Sequence, residues 1–323
     1  MKTLSCLQYG AINSLKLLEV PTPEPKAHEI LIEVKACGVN FPDILLVEGK
    51  YQFKPEFPFA PGGEVAGIVK QIGEEVKDFE VGERVVAFTG WGGFAEAVIT
   101  TPNRVFKLPE GIEWEIAASS LYTFGTVYHA LKDRANIQKG ETILVLGAAG
   151  GIGLATVELA KYMGATVIAA ASTNEKLQIC QEKGADHLIN YQEQDLKKAV
   201  KTLFPKGIDV VLDPVGGKYS EPALRTLGWN GRHLVVGFTA GDIPKIPLNL
   251  PLLKGCQIMG VFWGAFSQRH PDLYRKEITE LIDLLKEGKI QSHIQETYSL
   301  AAGTQALLKI QNRQAIGKLV IKP

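Results

Sequence analysis

The second half of the chain alternates short apolar runs with helical patterns, and this alternation limits the fold more than any other feature. After Gly140 the segments between the runs carry apolar residues at helical spacing, as in Ile152, Ala155, Leu159 and Met163. The apolar runs are Thr142–Leu146, Thr166–Ala170, Asp209–Leu212, Arg232–Val236 and Ile258–Phe262. Strands that alternate with helices form βαβ units, and runs apolar on both faces suit a sheet covered by helices on each side. The sequence therefore predicts an α/β domain with a doubly wound parallel sheet.

The first third of the chain has a different rhythm, rich in β signals that proline and glycine punctuate. The strands predicted there are Ile30–Val34, Glu64–Val69 and Arg84–Phe88. The tail resumes after the α/β pattern with an amphipathic helix, a second helix and a last strand, at Leu273–Glu287, Ala301–Ile310 and Lys318–Ile321. The simplest architecture inserts the α/β domain, residues 125–266, between two halves of a mostly antiparallel β domain, residues 1–124 and 267–323.

Composition argues against several classes of protein. Lysine plus arginine and aspartate plus glutamate both number 35, so the formal net charge is zero, whereas nucleic-acid binders usually carry a basic excess. No apolar run approaches the roughly 20 residues that span a bilayer, and residues 1–9 lack the pattern of a signal peptide. The four cysteines are too scattered for a structural zinc site or a disulfide framework. We therefore expect a cytoplasmic protein with neither a nucleic-acid nor a membrane partner.

The strongest motif is a glycine-rich turn, Leu146–Gly153, which follows a predicted strand and opens a predicted helix. Gly150 would let the backbone approach a pyrophosphate, and Gly153 would let the helix pack closely on the sheet. The N–H groups of Gly151 and Ile152 would add to the anion site at the helix N-terminus. The match is a variant because Ala148 stands at the first glycine position. The motif predicts a dinucleotide site, and the structural alternative is an ordinary tight turn between strand and helix.

The end of the second strand bears on the choice between NAD and NADP. An NAD site usually places an acidic residue there to hold the ribose 2′-hydroxyl. Here the strand runs into Ser172, and Glu175 lies three residues later, at the spacing of a capping box. We therefore interpret Glu175 as a helix-terminus residue and expect Ser172 and Lys176 to meet a 2′-phosphate. The pattern favours NADPH, although Lys176 by itself also suits a solvated helix surface.

Three further motifs precede the glycine-rich turn, at Ala36–Asp43, Phe57–Glu64 and Val81–Val85. Taken in order, the four motifs resemble those of the zinc-free, zeta-crystallin-like quinone oxidoreductases of the medium-chain dehydrogenase/reductase superfamily. The resemblance covers essentially the whole chain. It implies a Rossmann domain inserted in a GroES-like catalytic domain, and NADPH as the cofactor.

Departures from the zinc alcohol dehydrogenases of the same superfamily bear on the chemistry. Those enzymes have a cysteine ligand at the position of Asn40 and a histidine ligand at the position of Gly63, and neither replacement suits catalytic zinc. The four-cysteine structural lobe is missing too. Without a Lewis acid, alcohol oxidation is disfavoured. A quinone, or an alkene conjugated to a carbonyl, accepts hydride readily and asks the protein mainly for orientation.

The resemblance also carries over site residues. It places Asn40 and Tyr51 in the catalytic substrate pocket and Gly237 in the loop after the fifth strand. The residues it brings to the 2′-phosphate and the nicotinamide are Lys176, Tyr191, Arg313, Phe262 and Trp263. Each has a structural alternative: a turn cap for Asn40, a core position for Tyr51, Phe262 or Trp263, a residue that merely follows its strand for Tyr191, and a solvated loop for Arg313. None of the six histidines has metal-ligand spacing.

Three functions stay open on the sequence. The first is an NADPH:quinone reductase without an essential proton donor, since Asp43, the carboxylate nearest Asn40, equally suits bonds to backbone N–H groups. The second is an enoyl reductase acting on an α,β-unsaturated ketone or acyl thioester. The third is a non-catalytic crystallin-like or RNA-binding protein. The predicted last strand of the parallel sheet, Gln257–Phe262, is an apolar edge. Because the family often pairs this edge, we expect a homodimer.

Overall fold

The computed structural model describes residues 1–323, and the chain divides into two compact units. Unit 1 comprises residues 1–122 and 278–323, and unit 2 comprises residues 123–277. Unit 2 is thus inserted in the sequence of unit 1. The sequence-based boundaries lie after residues 124 and 266, and the second division of the structure falls later because it lies within a long helix.

Fifteen strands and eleven α-helices make up the two units. The strands are β1 Lys2–Ser5, β2 Lys16–Glu19, β3 Ile30–Val39, β4 Glu64–Ile72, β5 Arg84–Phe88, β6 Ala97–Thr100, β7 Val105–Lys107, β8 Thr142–Leu146, β9 Thr166–Ala171, β10 His187–Asn190, β11 Ile208–Asp213, β12 Leu227–Val235, β13 Gln257–Gly260, β14 Ile294–Ser299 and β15 Lys318–Lys322. The α-helices are α1 Phe41–Val47, α2 Trp114–Ala117, α3 Leu121–Tyr128, α4 Gly151–Tyr162, α5 Asn174–Glu182, α6 Leu196–Leu203, α7 Ser220–Leu224, α8 Asn249–Lys254, α9 Trp263–Arg269, α10 Pro271–Lys286 and α11 Gly303–Gln311.

Unit 2 contains a six-stranded parallel sheet in the order β10-β9-β8-β11-β12-β13. The doubly wound prediction is therefore confirmed. The predicted extension of the last strand to Phe262 is wrong: β13 ends at Gly260, because the Phe262 carbonyl already accepts the first bonds of α9, from the N–H groups of Ala265 and Phe266. The short strand β10 was not predicted, since its four residues begin with a histidine and end with an asparagine.

The strand order reverses next to β8, and this reversal positions the glycine-rich turn. From β8 the sheet grows through β9 to β10 on one side and through β11 to β13 on the other. Ligands of doubly wound sheets bind at such a switch point, outside the carboxyl ends of the strands. The loops after β8 and β11 approach each other there, since a Cβ on Gly147 would lie 2.9 Å from Cγ2 of Val215.

Unit 1 contains a seven-stranded sheet in the order β14-β15-β3-β4-β5-β7, and β6 also pairs with β3. All pairs are antiparallel except β14 with β15, which confirms the predicted mostly antiparallel domain. Gly38 of β3 lies opposite Glu64 of β4 on one side and Val320 of β15 on the other. The sheet thereby brings the C-terminal strand beside the segment that contains Asn40.

No helix in the structure is both long and apolar enough to cross a membrane.

Candidate functional site

The glycine-rich turn of unit 2 forms the N-terminus of a helix of 12 residues, α4. Gly150 is its N-cap residue, and no side chain caps the helix. The first N–H groups of α4, from Gly151, Ile152 and Gly153, have no carbonyl partner within the helix. Together with the positive end of the helix dipole, they form a site suited to a phosphate group.

Gly153 and Gly150 allow different close approaches. A Cβ on Gly153 would lie 2.4 Å from the carbonyl oxygens of both Gly147 and Ala148, so α4 packs on its own loop only with glycine there. A Cβ on Gly150 would meet only the Gly147 oxygen, at the ordinary distance of 3.4 Å. The half-exposed face of Gly150 is therefore not filled by the protein. The turn has the shape and the donors that a pyrophosphate requires.

The segment after β9 differs from its predicted form in one respect. The N-cap of α5 is Thr173, whose hydroxyl accepts a hydrogen bond from the N–H of Lys176 at 3.3 Å. The predicted capping box of Ser172 with Glu175 is therefore wrong, because the helix begins one residue later. Ser172 is half-buried and does not cap the helix, and Glu175 is exposed in the first helical turn. As predicted from the sequence, no acidic residue stands at the end of β9.

Strand pairing brings Tyr191 to the same edge of unit 2. Asn190 of β10 pairs with Ala171 of β9, and the N–H of Tyr191 donates to the Ala171 carbonyl at 3.1 Å. The Tyr191 ring packs against Tyr219 with the ring centroids 4.5 Å apart. Burial lowers the pKa of Lys176, which lies in the first turn of α5. Ser172, Lys176 and Tyr191 thus follow two neighbouring strands at their carboxyl ends.

The other residues predicted to bind the cofactor occupy distinct environments. Gly237 lies in the loop after β12, and its N–H points to the Asp213 carbonyl at 3.4 Å. Trp263 is buried against Gly125, where a Cβ would lie 2.5 Å from the indole ring, whereas Phe262 is 48% exposed. Arg313 lies in unit 1, exposed, with a left-handed φ of 59°. The cofactor roles of these four residues stay predictions.

Asp213, at the end of β11, holds the neighbouring loop in place. Its Oδ1 accepts the N–H groups of Val215 at 2.9 Å and Gly216 at 2.8 Å, and its Oδ2 accepts the Ser220 hydroxyl at 2.5 Å. Burial alone raises the pKa of Asp213, but hydrogen bonds from His233, Gly216 and Ser220 outweigh it, and the pKa lies below its usual value. This fixed carboxylate orders the loop that faces the glycine-rich turn.

Unit 1 holds a second polar site around Asn40, the N-cap residue of α1, which is only 7% exposed. Its Oδ1 accepts a hydrogen bond from the ammonium of Lys318 at 2.5 Å. Its Nδ2 donates to the Gly38 carbonyl and to Oε2 of Glu64, both at 3.3 Å. The orientation of this amide is therefore defined on both sides by groups of the same unit.

Lys318 and Glu64 form a buried ion pair beside Asn40. Their side chains are 4% and 0% exposed, and Nζ lies 3.5 Å from Oε2. The other oxygen of Glu64 accepts the N–H of Tyr122 at 2.7 Å. Burial raises the pKa of Glu64, and Lys318 and the N–H of Tyr122 oppose this increase.

Asp43 bonds backbone N–H groups, one of the two roles that the sequence left open. Its Oδ2 accepts the N–H of Asn40 at 2.7 Å, and its Oδ1 accepts the N–H of Gly62 at 3.0 Å. Burial raises its pKa to about 6, against the lowering effect of these two bonds. Asp43 therefore joins the start of α1 to the Gly62–Gly63 turn.

Tyr51 and Tyr122 form a pair of phenols in the same unit. The two phenol groups influence each other's pKa, and Tyr51 is half-buried. Burial raises the pKa of Tyr51, and the influence of Tyr122 only partly opposes this increase. Burial also raises the pKa of Tyr122 well above its usual value. The Tyr122 ring packs against Phe88 with centroids 5.2 Å apart. Because the pKa values of Tyr51 and Tyr122 are both raised, both side chains are protonated at neutral pH.

The donor set in unit 1 does not suit a metal ion. No group of three or more histidine, cysteine, aspartate or glutamate side chains is arranged to hold one. Cys37 is fully buried, and burial raises the pKa of its thiol well above the usual value. Glu64 is engaged by Lys318, and Asn40 and Gly63, at the positions that the resemblance assigns to zinc ligands, carry an amide and no side chain.

Sequence reasoning missed three members of this site: Glu64, Tyr122 and Lys318. Glu64 belonged to a quoted motif and Lys318 to a predicted strand, but neither pattern indicated a buried ion pair. A lysine at the start of an otherwise apolar strand, Lys318–Ile321, was the available signal. Tyr122 had no sequence signal that separates it from a core tyrosine.

Models of two domain families match the chain in the expected order. Residues 26–110 match the alcohol dehydrogenase GroES-like domain, and residues 151–287 match the domain described as zinc-binding dehydrogenase. The arrangement defines a two-domain oxidoreductase with a GroES-like and a Rossmann-like part. The chain belongs to the medium-chain dehydrogenase/reductase superfamily, among its quinone oxidoreductase-like members.

Relatives and solved structures agree with this assignment. The quinone oxidoreductase-like protein 2 of Bos taurus is 39% identical over 308 residues, which cover 94% of this chain and 88% of the relative. The Escherichia coli quinone oxidoreductase, solved in complex with NADPH, is 29% identical and has a TM-score of 0.94 over 100% of both chains. Mycobacterial Rv1454c, also solved with NADPH, is 28% identical with a TM-score of 0.94 over 100% of both chains. The shared fold is one that binds a nicotinamide cofactor.

Proposed function

We propose that the protein is an NADPH-dependent oxidoreductase that reduces a quinone without zinc. The observation that carries the proposal is the environment of Asn40. A lysine, a glutamate and a main-chain carbonyl engage its amide, and the ammonium of Lys318 balances the buried carboxylate of Glu64. A site of this kind offers hydrogen bonds and fixed shape to an acceptor, and no Lewis acid for an alkoxide.

Unit 2 supplies the residues proposed to hold NADPH. The N–H groups of Gly151, Ile152 and Gly153 suit the pyrophosphate, and the open face of Gly150 allows its approach. Ser172, Lys176 and Tyr191 are proposed for the 2′-phosphate, because no acidic side chain stands there to hold a ribose hydroxyl. Bound NADPH supplies the hydride. The family resemblance adds four further residues to the proposed cofactor site: Gly237, Phe262, Trp263 and Arg313.

Unit 1 supplies the residues proposed for the acceptor, Asn40 and Tyr51. A quinone delocalises the charge that it gains, so orientation by these groups suffices and water can deliver the proton. Asp43 is not proposed as an acid, since both its oxygens accept main-chain N–H groups.

A second candidate is an enoyl reductase, and the Tyr51–Tyr122 pair is what favours it. Reduction of an α,β-unsaturated carbonyl requires a proton at carbon, and a protonated phenol can deliver one. The two candidates share the hydride chemistry and differ in whether a side chain acts as an acid.

Steady-state oxidation of NADPH by a panel of acceptors tests the proposal. We expect 1,4-benzoquinone to turn over faster than an enone or an enoyl-CoA, and NADPH to be preferred over NADH. A clear preference for the enoyl-CoA would select the second candidate. Tight NADPH binding without turnover of any acceptor would contradict both.

Zinc independence is tested by metal analysis of the purified protein. We expect no stoichiometric zinc and no loss of activity after dialysis against a chelator. One tightly held zinc ion per chain, with activity lost on its removal, would contradict the proposal.

We also propose a homodimer through the free edge of the unit 2 sheet. β13 pairs on one side only, with β12, and Ile258 on it is 41% exposed. Close in sequence, Leu248, Leu252 and Leu253 are each more than 70% exposed. Unpaired edge strands and apolar patches of this kind favour association with a second copy.

A further inference from the structure

Lys318 is buried at the start of β15, and all of its hydrogen-bonding capacity is used within unit 1. Its ammonium lies 2.5 Å from Oδ1 of Asn40, 3.2 Å from the Val39 carbonyl and 3.5 Å from Oε2 of Glu64. Three donors thus meet three acceptors. Lysine is almost never fully buried unless it is paired. A buried ion pair is by itself weak evidence for a stabilising role, because the cost of desolvating the two charges offsets their attraction.

One path of contacts leads from Lys318 through Glu64 to Tyr122. Glu64 shares one oxygen between Lys318 and Asn40, and its other oxygen accepts the N–H of Tyr122 at 2.7 Å. Gly38 makes room for this carboxylate, since a Cβ there would lie 2.8 Å from Oε2. The carboxylate therefore fixes the main chain at the start of α3, where Tyr122 lies.

A second path leads from Lys318 through Asn40 to Tyr51. Asn40 is the N-cap residue of α1, and Lys318 and Glu64 define its amide orientation. The chain that leaves α1 is tied back to it, because the N–H of Tyr51 donates to the Leu45 carbonyl at 3.2 Å. Lys318 thus acts at the start of the short helix α1, and Tyr51 lies in the segment that follows its end.

The first path ends at the N–H of Tyr122 and the second at the N–H of Tyr51. We infer that Lys318 is a positioning residue, which with Glu64 and Asn40 holds the Tyr51–Tyr122 pair in the geometry that receives the acceptor. Lys318 touches neither the acceptor nor the cofactor in this role. The inference rests on the proposed function, because it assigns the tyrosine pair to acceptor binding.

The test compares Lys318→Met with Lys322→Met. Both lysines belong to β15, but Lys322 is 51% exposed and paired with Glu115 on the surface, so its loss should leave the site unchanged. We expect Lys318→Met to raise the acceptor KM about tenfold or more, a loss of about 1.4 kcal/mol in acceptor binding. The NADPH Kd should stay within about twofold of wild type, because Lys318 lies in unit 1, away from the residues proposed for the cofactor. Equal acceptor KM values in the two variants would overturn the inference.

The double variant Lys318→Met/Glu64→Gln separates positioning from stability. Removal of both charges leaves no unpaired buried ion, so we expect the thermal midpoint to recover toward wild type. The acceptor KM should stay raised, because a neutral amide in place of the Glu64 carboxylate attracts Asn40 and the N–H of Tyr122 less strongly. A double variant with wild-type stability and wild-type KM would overturn the inference. Lys318→Arg, which keeps the charge, should retain more acceptor affinity than either.

A spectroscopic readout keeps the inference testable if the proposed function fails. In protein labelled with ¹³C-tyrosine, the ring signals of Tyr51 and Tyr122 are identified by their loss in Tyr51→Phe and Tyr122→Phe. We expect both signals to shift in Lys318→Met and neither in Lys322→Met, whether or not any acceptor is reduced. Unchanged tyrosine signals in a folded Lys318→Met protein would overturn the inference. Shifted signals in a protein without turnover would count against the proposed function alone.

Discussion

The ammonium of Lys318 lies 2.5 Å from the amide oxygen of Asn40, although 278 positions separate the two residues in the sequence. The antiparallel pairing of β15 with β3 makes this contact, because Leu319 pairs with Val39. Asn40 is thereby held from a strand at the opposite end of the chain. The polar site of unit 1 consequently depends on both halves of the interrupted unit.

The two glycines of the phosphate-binding turn should respond differently to alanine. Gly153→Ala should destabilise the fold by about 1–3 kcal/mol, because its Cβ would lie 2.4 Å from two carbonyl oxygens. Gly150→Ala should lower the thermal midpoint less, since its Cβ meets only an oxygen at 3.4 Å and the loss of an N-cap glycine to alanine costs about 1 kcal/mol. It should nevertheless weaken NADPH by about tenfold or more, because the methyl group occupies the phosphate approach. Thermal unfolding and NADPH fluorescence titration measure the two effects; equal changes in both variants would contradict the assignment.

Lys176→Ala should weaken NADPH by about tenfold or more and leave NADH nearly unchanged. A charge-assisted bond to phosphate contributes roughly 1.5–3 kcal/mol, and only NADPH carries the 2′-phosphate. Lys183→Ala is the matched control, because Lys183 lies at the other end of α5 and pairs with Glu158. Cofactor Kd values for the three proteins give the comparison. Equal losses for NADPH and NADH would mean that Lys176 maintains structure and does not select the cofactor.

Tyr51→Phe should retain most of kcat with a quinone. If orientation is enough, removal of one hydroxyl changes acceptor binding more than the chemical step, and the effect appears in KM. General acid catalysis typically contributes about 10²–10⁴-fold. A kcat loss of that size, with NADPH affinity intact, would identify an acid and favour enoyl reduction. Tyr122→Phe serves as the companion variant, since Tyr122 is the other phenol of the pair.

Asp43 should make the unfolding free energy fall as the pH rises through about 6. Burial raises its folded pKa to about 6, above the unfolded value near 3.8, so between these pH values the folded state binds more protons than the unfolded state. The stabilisation from the bound proton is present below the unfolded pKa and is lost as pH rises through the folded pKa, an effect of up to about 3 kcal/mol. Urea unfolding of wild type and Asp43→Asn at pH 4.5 and pH 7 checks it. The stability difference between the two proteins should change with pH in this direction; a constant difference would contradict it.

Ile258→Lys should convert the proposed dimer into a monomer. A charged side chain on an edge strand opposes pairing with another chain. Val81→Lys is the control, because Val81 is also an exposed apolar residue, 63% accessible, but lies in unit 1. Light scattering at micromolar concentration distinguishes the states. A monomeric wild-type protein would contradict the prediction.

Local patterns were enough to predict most of the fold. The strands Thr142–Leu146 and Arg84–Phe88 have the predicted bounds, because a continuous apolar run between turn residues specifies a strand without help from distant parts of the chain. The glycine-rich turn was also predictable, since close approach of a helix to its own loop requires glycine wherever the fold occurs. The predicted bounds of elements were wrong where a helix cap decides them, as at Thr173 and Phe262. Neighbouring residues can each take the N-cap position, and the local sequence does not choose between them.

The sequence by itself determined the class of protein: two kinds of sheet, and a glycine-rich turn between a strand and a helix of the inserted unit. Only the tertiary structure decided what surrounds Asn40. Glu64, Tyr122 and Lys318 come from three separate segments, and no spacing rule relates them. Sheet register places them within hydrogen-bonding distance, and burial then makes each charge depend on its partner. Periodicity reports which face of an element is apolar, but contacts between distant segments arise only when the strands pair.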